Sequence, residues 1–323
     1  MRGRRRRGRL LPCFTWSMRV HIDTNSSQDS AGRPTPASVN TRSLASVVIP
    51  AHNEARVIER GLAAILRDTA PGEVEVVVVC NGCTDDTAAR ARRFGPGVKV
   101  VETPIPSKIH ALNLGDRHVS AFPRFYIDAD VQLSPGAIRD VASMLGDDSP
   151  ILVAAPRAVV ALEDRPWTIR AFYRVWTRLP YFSETLIGSG VYAFSRKGRA
   201  RFDQFPDITA DDEFARLTAT PDERRSSTAT TFTIYPPRTL HGLLKIMTRA
   251  RSGMYELQER LPQLDANNHT TAGRSLRIIA TSPSMWLDAP IYLGVMLLAK
   301  LRAHQRPGSN PNRTWERDNT SRT

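Results

Sequence analysis

The stretch Phe125-Tyr-Ile-Asp128-Ala-Asp130 ends an apolar run with two carboxylates separated by one residue. Residues two apart in a strand project to the same side, so both acids can face one point in a cleft. Such a pair suits an oxygen-ligated divalent ion, Mg²⁺ or Mn²⁺, which takes one or two carboxylates and fills its other positions with water and substrate phosphates. The chemistry implied is an open metal serving a phosphorylated small molecule. A solvated turn after a strand has the same local sequence, so the surroundings must decide.

Those surroundings are an alternation of β-rich runs and helical patterns from Ser46 onward, which predicts a layered α/β sheet with crossover helices. Val47–Ile49 reads as a strand ending at Pro50, and Asn53 as the cap of a helix with apolar positions Val57, Ile58, Leu62, Ile65 and Leu66. Pro71-Gly72 turns the chain into Val74–Val79, apolar throughout, as in a strand buried on both faces. A second helix is predicted from Thr84, with Asp85 and Asp86 in its first turn, stopped by Phe94-Gly-Pro-Gly97. A strand over Val98–Glu102, a helix over Lys108–Val119, the strand Phe125–Asp128, a helix capped by Ser134-Pro135 and a strand over Ile151–Ala155 complete this half.

In such a sheet ligands lie beyond the carboxyl ends of the strands. The loops there are Pro50–Glu54, Asn81–Asp86, Thr103–Lys108 and Asp128–Asp130, and each carries polar groups. No Gly-x-Gly-x-x-Gly or Gly-Lys-Ser/Thr loop follows a strand, which argues against dinucleotide dehydrogenases and P-loop enzymes. After Pro156 the pattern is less regular. It includes a Trp/Tyr/Arg-rich helix over Pro166–Leu179, a turn at Gly188-Ser189-Gly190, a strand over Val191–Phe194 and a helix opened by Asp211-Asp212-Glu213. Ala289–Ala299 is nearly apolar but too short for a bilayer span of about 20 residues. It reads as a core helix or as an interfacial one flanked by Lys300, Arg302 and Arg306.

The chain has 323 residues, 41% of them hydrophobic, enough for a substantial core. Its net charge of +13 suggests nucleic acid until it is apportioned. Residues 1–43 carry nine Arg against two acids, 302–323 five Arg against two, and the body between them 31 basic against 28 acidic residues. The basicity therefore belongs mainly to the tails. Residues 1–43 read as a disordered basic arm able to touch RNA or an anionic membrane, or as a leader with translation starting nearer Met18. Three cysteines, with Cys80 and Cys83 unaccompanied by a second pair, imply neither a disulfide framework nor a zinc site. A cytoplasmic location is expected, with the inner face of the membrane open to the basic tail.

Together these segments resemble the inverting family 2 glycosyltransferases with the GT-A fold, of the non-processive type. The matching residues are Val47–Glu54, Val78–Thr87, Lys108-Ile-His-Ala-Leu-Asn-Leu-Gly115, Asp128-Ala-Asp130, Gly188-Ser-Gly190 and Asp211-Asp-Glu-Phe214. They cover roughly residues 45–220 in family order. The Gln-x-x-Arg-Trp motif of processive synthases is absent.

The resemblance implies a mostly parallel nucleotide-binding sheet with helices on both faces and a smaller acceptor-side region. A nucleotide-sugar-binding half would span 44–156, an acceptor-side half 157–265, and a helical extension with a basic tail 266–323. Pro50, Asn53, Glu54, Asn81 and Asp85 would frame the nucleoside of the donor, although relatives often carry a carboxylate where this chain has Cys80-Asn81. Asp85 restores such a contact or simply starts a helix. Lys108 would be a cation at the donor pocket, or a solvated side chain at a helix start, and Asn113 would stabilise that loop. Asp128 would lie toward ribose and metal, and Asp130 would bind Mg²⁺ or Mn²⁺ directly. Gly188, Ser189 and Gly190 would underlie the acceptor, with Asp212, or less favourably Asp211, as the base that deprotonates its hydroxyl. His241 is a further ligand for diphosphate or metal, or a surface histidine. The partners expected are a nucleotide-sugar donor and a hydroxyl-bearing acceptor that is lipid, saccharide or small molecule, with a membrane surface allowed and nucleic acid disfavoured. The competing readings are a catalytically silent binding module of the same fold and nucleic-acid binding through the arm.

Overall fold

The computed structural model describes residues 43–185, 188–268 and 272–305, so the basic arm expected over 1–43 lies outside them but for Ser43. The strands are β1 (Ala45–Ala51), β2 (Val74–Asn81), β3 (Val98–Thr103), β4 (Arg124–Ile127), β5 (Val153–Val160), β6 (Val191–Phe194) and β7 (Arg224–Ile234). They form one sheet in the order β3-β2-β1-β4-β6-β5-β7, parallel except for β6. Strands of both expected halves therefore join the same sheet. Between and after them come α1 (Ile58–Leu66), α2 (Thr87–Arg92), α3 (Lys108–Asp116), α4 (Pro135–Met144), α5 (Trp167–Trp176) and α6 (Pro180–Thr185). They are followed by α7 (Arg196–Arg199), α8 (Asp211–Leu217), α9 (Leu240–Arg260), α10 (Ala272–Thr281) and α11 (Ala289–His304).

Alternation along the central strands divides the core in two. Val47, Ile49, Val76 and Val78 face Ile58, Leu62 and Ile65 of α1 and Ile138 and Val141 of α4. Val48, Val77 and Val79 face Ile109 and Leu112 of α3 and Phe214 of α8, with Tyr126, Tyr192, Phe194 and Phe205 beside them. Helices thus cover both faces, as the apolar runs of β1 and β2 require. A third cluster joins α5, α9 and α11 through Ile169, Phe172, Leu243 and Val295.

Several local expectations are corrected. β1 does not end before Pro50 but runs through it to Ala51. Ser46 donates its N–H toward β4, and Pro50 faces the same side, where β1–β4 pairing has already stopped at Val48. The missing proline N–H therefore costs no ladder bond. Asn53 does not cap α1: it adopts a left-handed φ of 53°, its amide oxygen accepts from the Thr84 N–H at 2.7 Å, and α1 begins at Ile58. α2 starts at Thr87 rather than Thr84, because Asp85 spends its carboxylate on the Thr87 N–H and on the Ala55 N–H, at 3.0 and 3.2 Å. β5 continues past Ala155 to Val160 alongside β7.

Candidate active site

Four buried residues, Arg124–Ile127, form β4 and deliver Asp128 and Asp130 to its carboxyl end. The antiparallel register of β4 with β6 decides what meets them. Ile127 lies opposite Val191, and the Asp128 N–H donates to the Gly190 carbonyl at 2.8 Å. Gly188 bridges back to Val191, which closes a tight turn over Ser189 and Gly190. Both glycines have positive φ, 116° and 102°, which favours a residue without a side chain. Space forbids one as well. A Cβ on Gly188 would lie 2.7 Å from the Asp212 Cβ, and a Cβ on Gly190 2.8 Å from Val131 and 3.5 Å from an Asp128 oxygen. The Gly188–Gly190 loop is thus sandwiched between the Asp128–Asp130 turn and the start of α8.

Lys108, the first residue of α3, ties the two acidic elements together. Its Nζ lies 2.8 Å from Asp128 Oδ1 and 3.0 Å from Asp211 Oδ1. Burial works against its charge, but the two carboxylates outweigh that and hold the ammonium well above its ordinary pKa. The Lys108 side chain is 18% exposed and the Asp211 side chain 5%, so the reading of Lys108 as a solvated side chain is overturned. Burial lifts the Asp211 carboxyl above the ordinary range against the pull of Lys108, and Asp212 and Asp128 add to the rise. The other Asp211 oxygen accepts from the Tyr192 hydroxyl at 3.0 Å.

The three acids that open α8 have separate engagements. Asp211 is held by Lys108 and Tyr192, and Glu213 is buried in a two-pronged pair with Arg216. Asp212 is half-buried and, among the described residues, makes no ion pair. Its oxygens accept the N–H groups of Glu213 at 2.8 Å and Ser189 at 3.3 Å. Of the acids Asp211, Asp212 and Glu213, it alone keeps a carboxylate without a cationic partner beside the glycine loop.

The other expected residues gather at the carboxyl ends of β1 and β2. Pro50 is buried inside β1 opposite Val79, Glu54 is buried beneath the loop, and Asn53 is exposed. Asn81 ends β2 at 1% exposure, and its carbonyl lies 2.6 Å from His52 Nδ1. The Asn81 side-chain nitrogen has no hydrogen-bond partner among the described residues, an unusual state for a buried amide at a strand end. Cys83 reaches back to the Ala51 carbonyl, and the neighbouring Cys80 thiol holds its pKa below the ordinary value. Asn113 does not brace the Thr103–Lys108 loop. Its amide exchanges two bonds with the backbone of Phe205, at 3.0 and 2.8 Å, and so fastens α3 to the segment before α8. A polar cavity of about 270 Å³ lies elsewhere, at the amino end of β4, where Asp116 already pairs with Arg124 and Arg199.

The donor set fits an open divalent site. Asp128 and Asp130 are partly exposed carboxylates on one turn, the oxygen donors that an open Mg²⁺ or Mn²⁺ site would use. Residues 46–202 match the model of glycosyl transferase family 2. This segment belongs to that family. The family 2 segment ends before α8, so the acids of α8 come from beyond it. A 4,4'-diaponeurosporenoate glycosyltransferase of Staphylococcus aureus (strain bovine RF122 / ET3-1) is 27% identical over 177 residues, 53% of this chain and 44% of that protein. The chain therefore spans less than half the length of this curated relative. A mannosyltransferase from Pyrobaculum calidifontis, solved with GDP-Man and Mn²⁺, superposes with a TM-score of 0.57 at 20% identity, covering 82% of this chain and 88% of that one. That likeness supports the GT-A type of fold.

Tyr192 and the bridging role of Lys108 were not identified from sequence. The strand holding Tyr192 was legible, and alternation puts it on the α8 side, but its bond to Asp211 depends on where α8 docks.

Proposed function

We propose that this protein is a metal-assisted inverting glycosyltransferase that moves a sugar from a nucleotide-diphosphate sugar to an acceptor hydroxyl in single transfers. The observation that carries the reading is the Gly188–Gly190 loop, packed between a carboxylate pair and Asp212, with Lys108 clamping both acidic elements. A transfer with inversion needs a leaving-group pole and a base on opposite sides of the sugar, and these are two such poles.

Pro50, Asn53, Glu54, Asn81 and Asp85 frame the nucleoside. The unpaired Asn81 amide supplies a donor that a nucleobase or ribose oxygen would satisfy. Asp85 acts chiefly through the loop, since both its oxygens are taken by backbone N–H groups. Asp130, with Asp128, would hold Mg²⁺ or Mn²⁺, the latter being the ion solved with the Pyrobaculum calidifontis mannosyltransferase. Such an ion neutralises charge that gathers on a departing diphosphate. Lys108 keeps Asp128 oriented. Gly188, Ser189 and Gly190 allow the acceptor close to the backbone.

Asp212 is the base. It is partly exposed, makes no ion pair among the described residues, and is fixed by two backbone N–H groups. Asp211 is buried, with one oxygen on Lys108 and the other on Tyr192, and serves to position Lys108. The test is a thermal-shift screen of nucleotide-sugars with Mn²⁺ or Mg²⁺, followed by nucleoside diphosphate release with an acceptor panel. A donor at 100 times its Kd stabilises by about 2.7 kcal/mol, several degrees of melting temperature. No shift with any donor and either cation, together with no diphosphate release, contradicts the reading.

A further inference from the structure

Helix α11 is apolar on nearly every side over Pro290–Leu298, the mark of a helix meant to be buried all round. The protein covers only part of it. Val295, Ala299 and Ala303 are buried, with Val295 packed against α5 and α9. Leu293, Leu297 and Leu301, spaced four residues apart, form an exposed stripe at 42, 58 and 51% exposure, with Leu298 beside it at 50%. The turn that leads into α11 adds Trp286 at 58% and Leu287 at 87%.

The charges carried by this C-terminal segment are nearly all of one sign. From residue 272 to 305 the cations are Arg274, Arg277, Lys300 and Arg302, and the single acid is Asp288, which is buried and doubly bonded by Arg174. Exposed Arg178 joins them through its bond to Ser284. A second copy docking this segment on its own counterpart would bring these like cations together. No helix among the described residues is long and apolar enough to cross a membrane. Exposed leucines and a tryptophan rimmed by Lys and Arg match a helix lying in the plane of an anionic lipid surface.

We infer that α11 and the Trp286–Leu287 turn seat the protein on an anionic bilayer surface. The leucines enter the headgroup boundary and Lys300, Arg302 and Arg277 meet lipid phosphates. α11 packs on α5, which precedes the Gly188–Gly190 loop in the chain. The inference does not depend on which reaction the site performs.

The test is co-sedimentation of the full chain with phosphatidylcholine vesicles, with and without phosphatidylglycerol. Binding to the anionic vesicles is expected, weakening with salt. Leu297→Glu/Leu301→Glu should cut partitioning about 100-fold, and Lys300→Gln/Arg302→Gln about 25-fold. These positions are exposed, so unchanged circular dichroism and melting are expected of both variants. No vesicle binding overturns the inference. So does binding that survives the leucine changes but is lost when Arg4–Arg7 become Gln, which assigns it to the arm. A dimer in sedimentation velocity that Leu297→Glu/Leu301→Glu converts to monomer overturns it too, since the occupant is then a second copy.

Discussion

Replacing Lys108 by Met removes the one ammonium shared by Asp128 and Asp211. The two acids do not lose equally. The Asp128 side chain is 38% exposed and recovers water, whereas that of Asp211 is 5% exposed and stays in place beside Tyr192. Stripping a buried charge of its partner costs about 3 to 5 kcal/mol, nearly all of it assigned here to Asp211. At about 2 to 4 °C per kcal/mol for a domain of this size, the variant should melt roughly 10 °C lower. The loss depends on pH with a definite sign. Burial already holds the Asp211 carboxyl above its ordinary value, and Lys108 opposes that rise, so its removal lifts the carboxyl further. A carboxyl with a raised folded pKa binds more protons folded than unfolded, so its destabilisation is complete above the folded value and fades as pH falls toward the unfolded value of about 3.9. The deficit of Lys108→Met should therefore be larger at pH about 8 than at pH about 5. Adding Asp211→Asn should restore about 2 kcal/mol, a coupling within the range of contacting residues. Urea denaturation of the wild type, both single variants and the double variant at the two pH values reads all of this. A loss under about 1 kcal/mol for Lys108→Met, or no recovery from Asp211→Asn, would refute the buried bridge.

Gly188→Ala puts a Cβ 2.7 Å from that of Asp212 at a positive φ, so kcat should fall at least tenfold with a stability loss of about 1 to 3 kcal/mol, read by steady-state kinetics and melting. Iodoacetamide should label Cys83 before Cys80, because Cys80 is buried with its pKa pushed up while that of Cys83 is drawn down. Peptide mass mapping reads the order, and preferential labelling of Cys80 would contradict it. Asn81→Ala should weaken donor binding by about 1 kcal/mol or more in calorimetry while leaving the fold intact; unchanged affinity would leave the orphan amide without a ligand.

The sheet was legible because its strands are short, apolar and punctuated: Val74–Val79 between Pro71-Gly72 and the polar loop, Val191–Phe194 after a double-glycine turn. The placement of the candidate motifs was legible because each stands at a strand end or a helix start. What stayed hidden has physical causes. β7 reads Arg-Arg-Ser-Ser-Thr-Ala-Thr-Thr-Phe-Thr-Ile, with Phe232 its one buried large apolar side chain, so no period marks it as a strand. α9 carries charges along 21 residues, and its partners α5 and α11 are distant in sequence. Asn53 has the right residue type for a cap, but a loop 31 residues away claims its side chain. Lys108 is legible as a donor-pocket cation, but its bridge between Asp128 and Asp211 is not, because Asp211 lies across the fold.

The most direct test of the central claim is product analysis with the donor identified by the screen. NMR should find the new linkage inverted at the anomeric carbon; Asp212→Asn should bind donor normally yet transfer at less than about a hundredth of the wild-type rate, and Asp130→Asn should lose cation-dependent donor binding. Retention of configuration, or near-normal transfer by Asp212→Asn, would contradict the assignment of two opposed acidic poles.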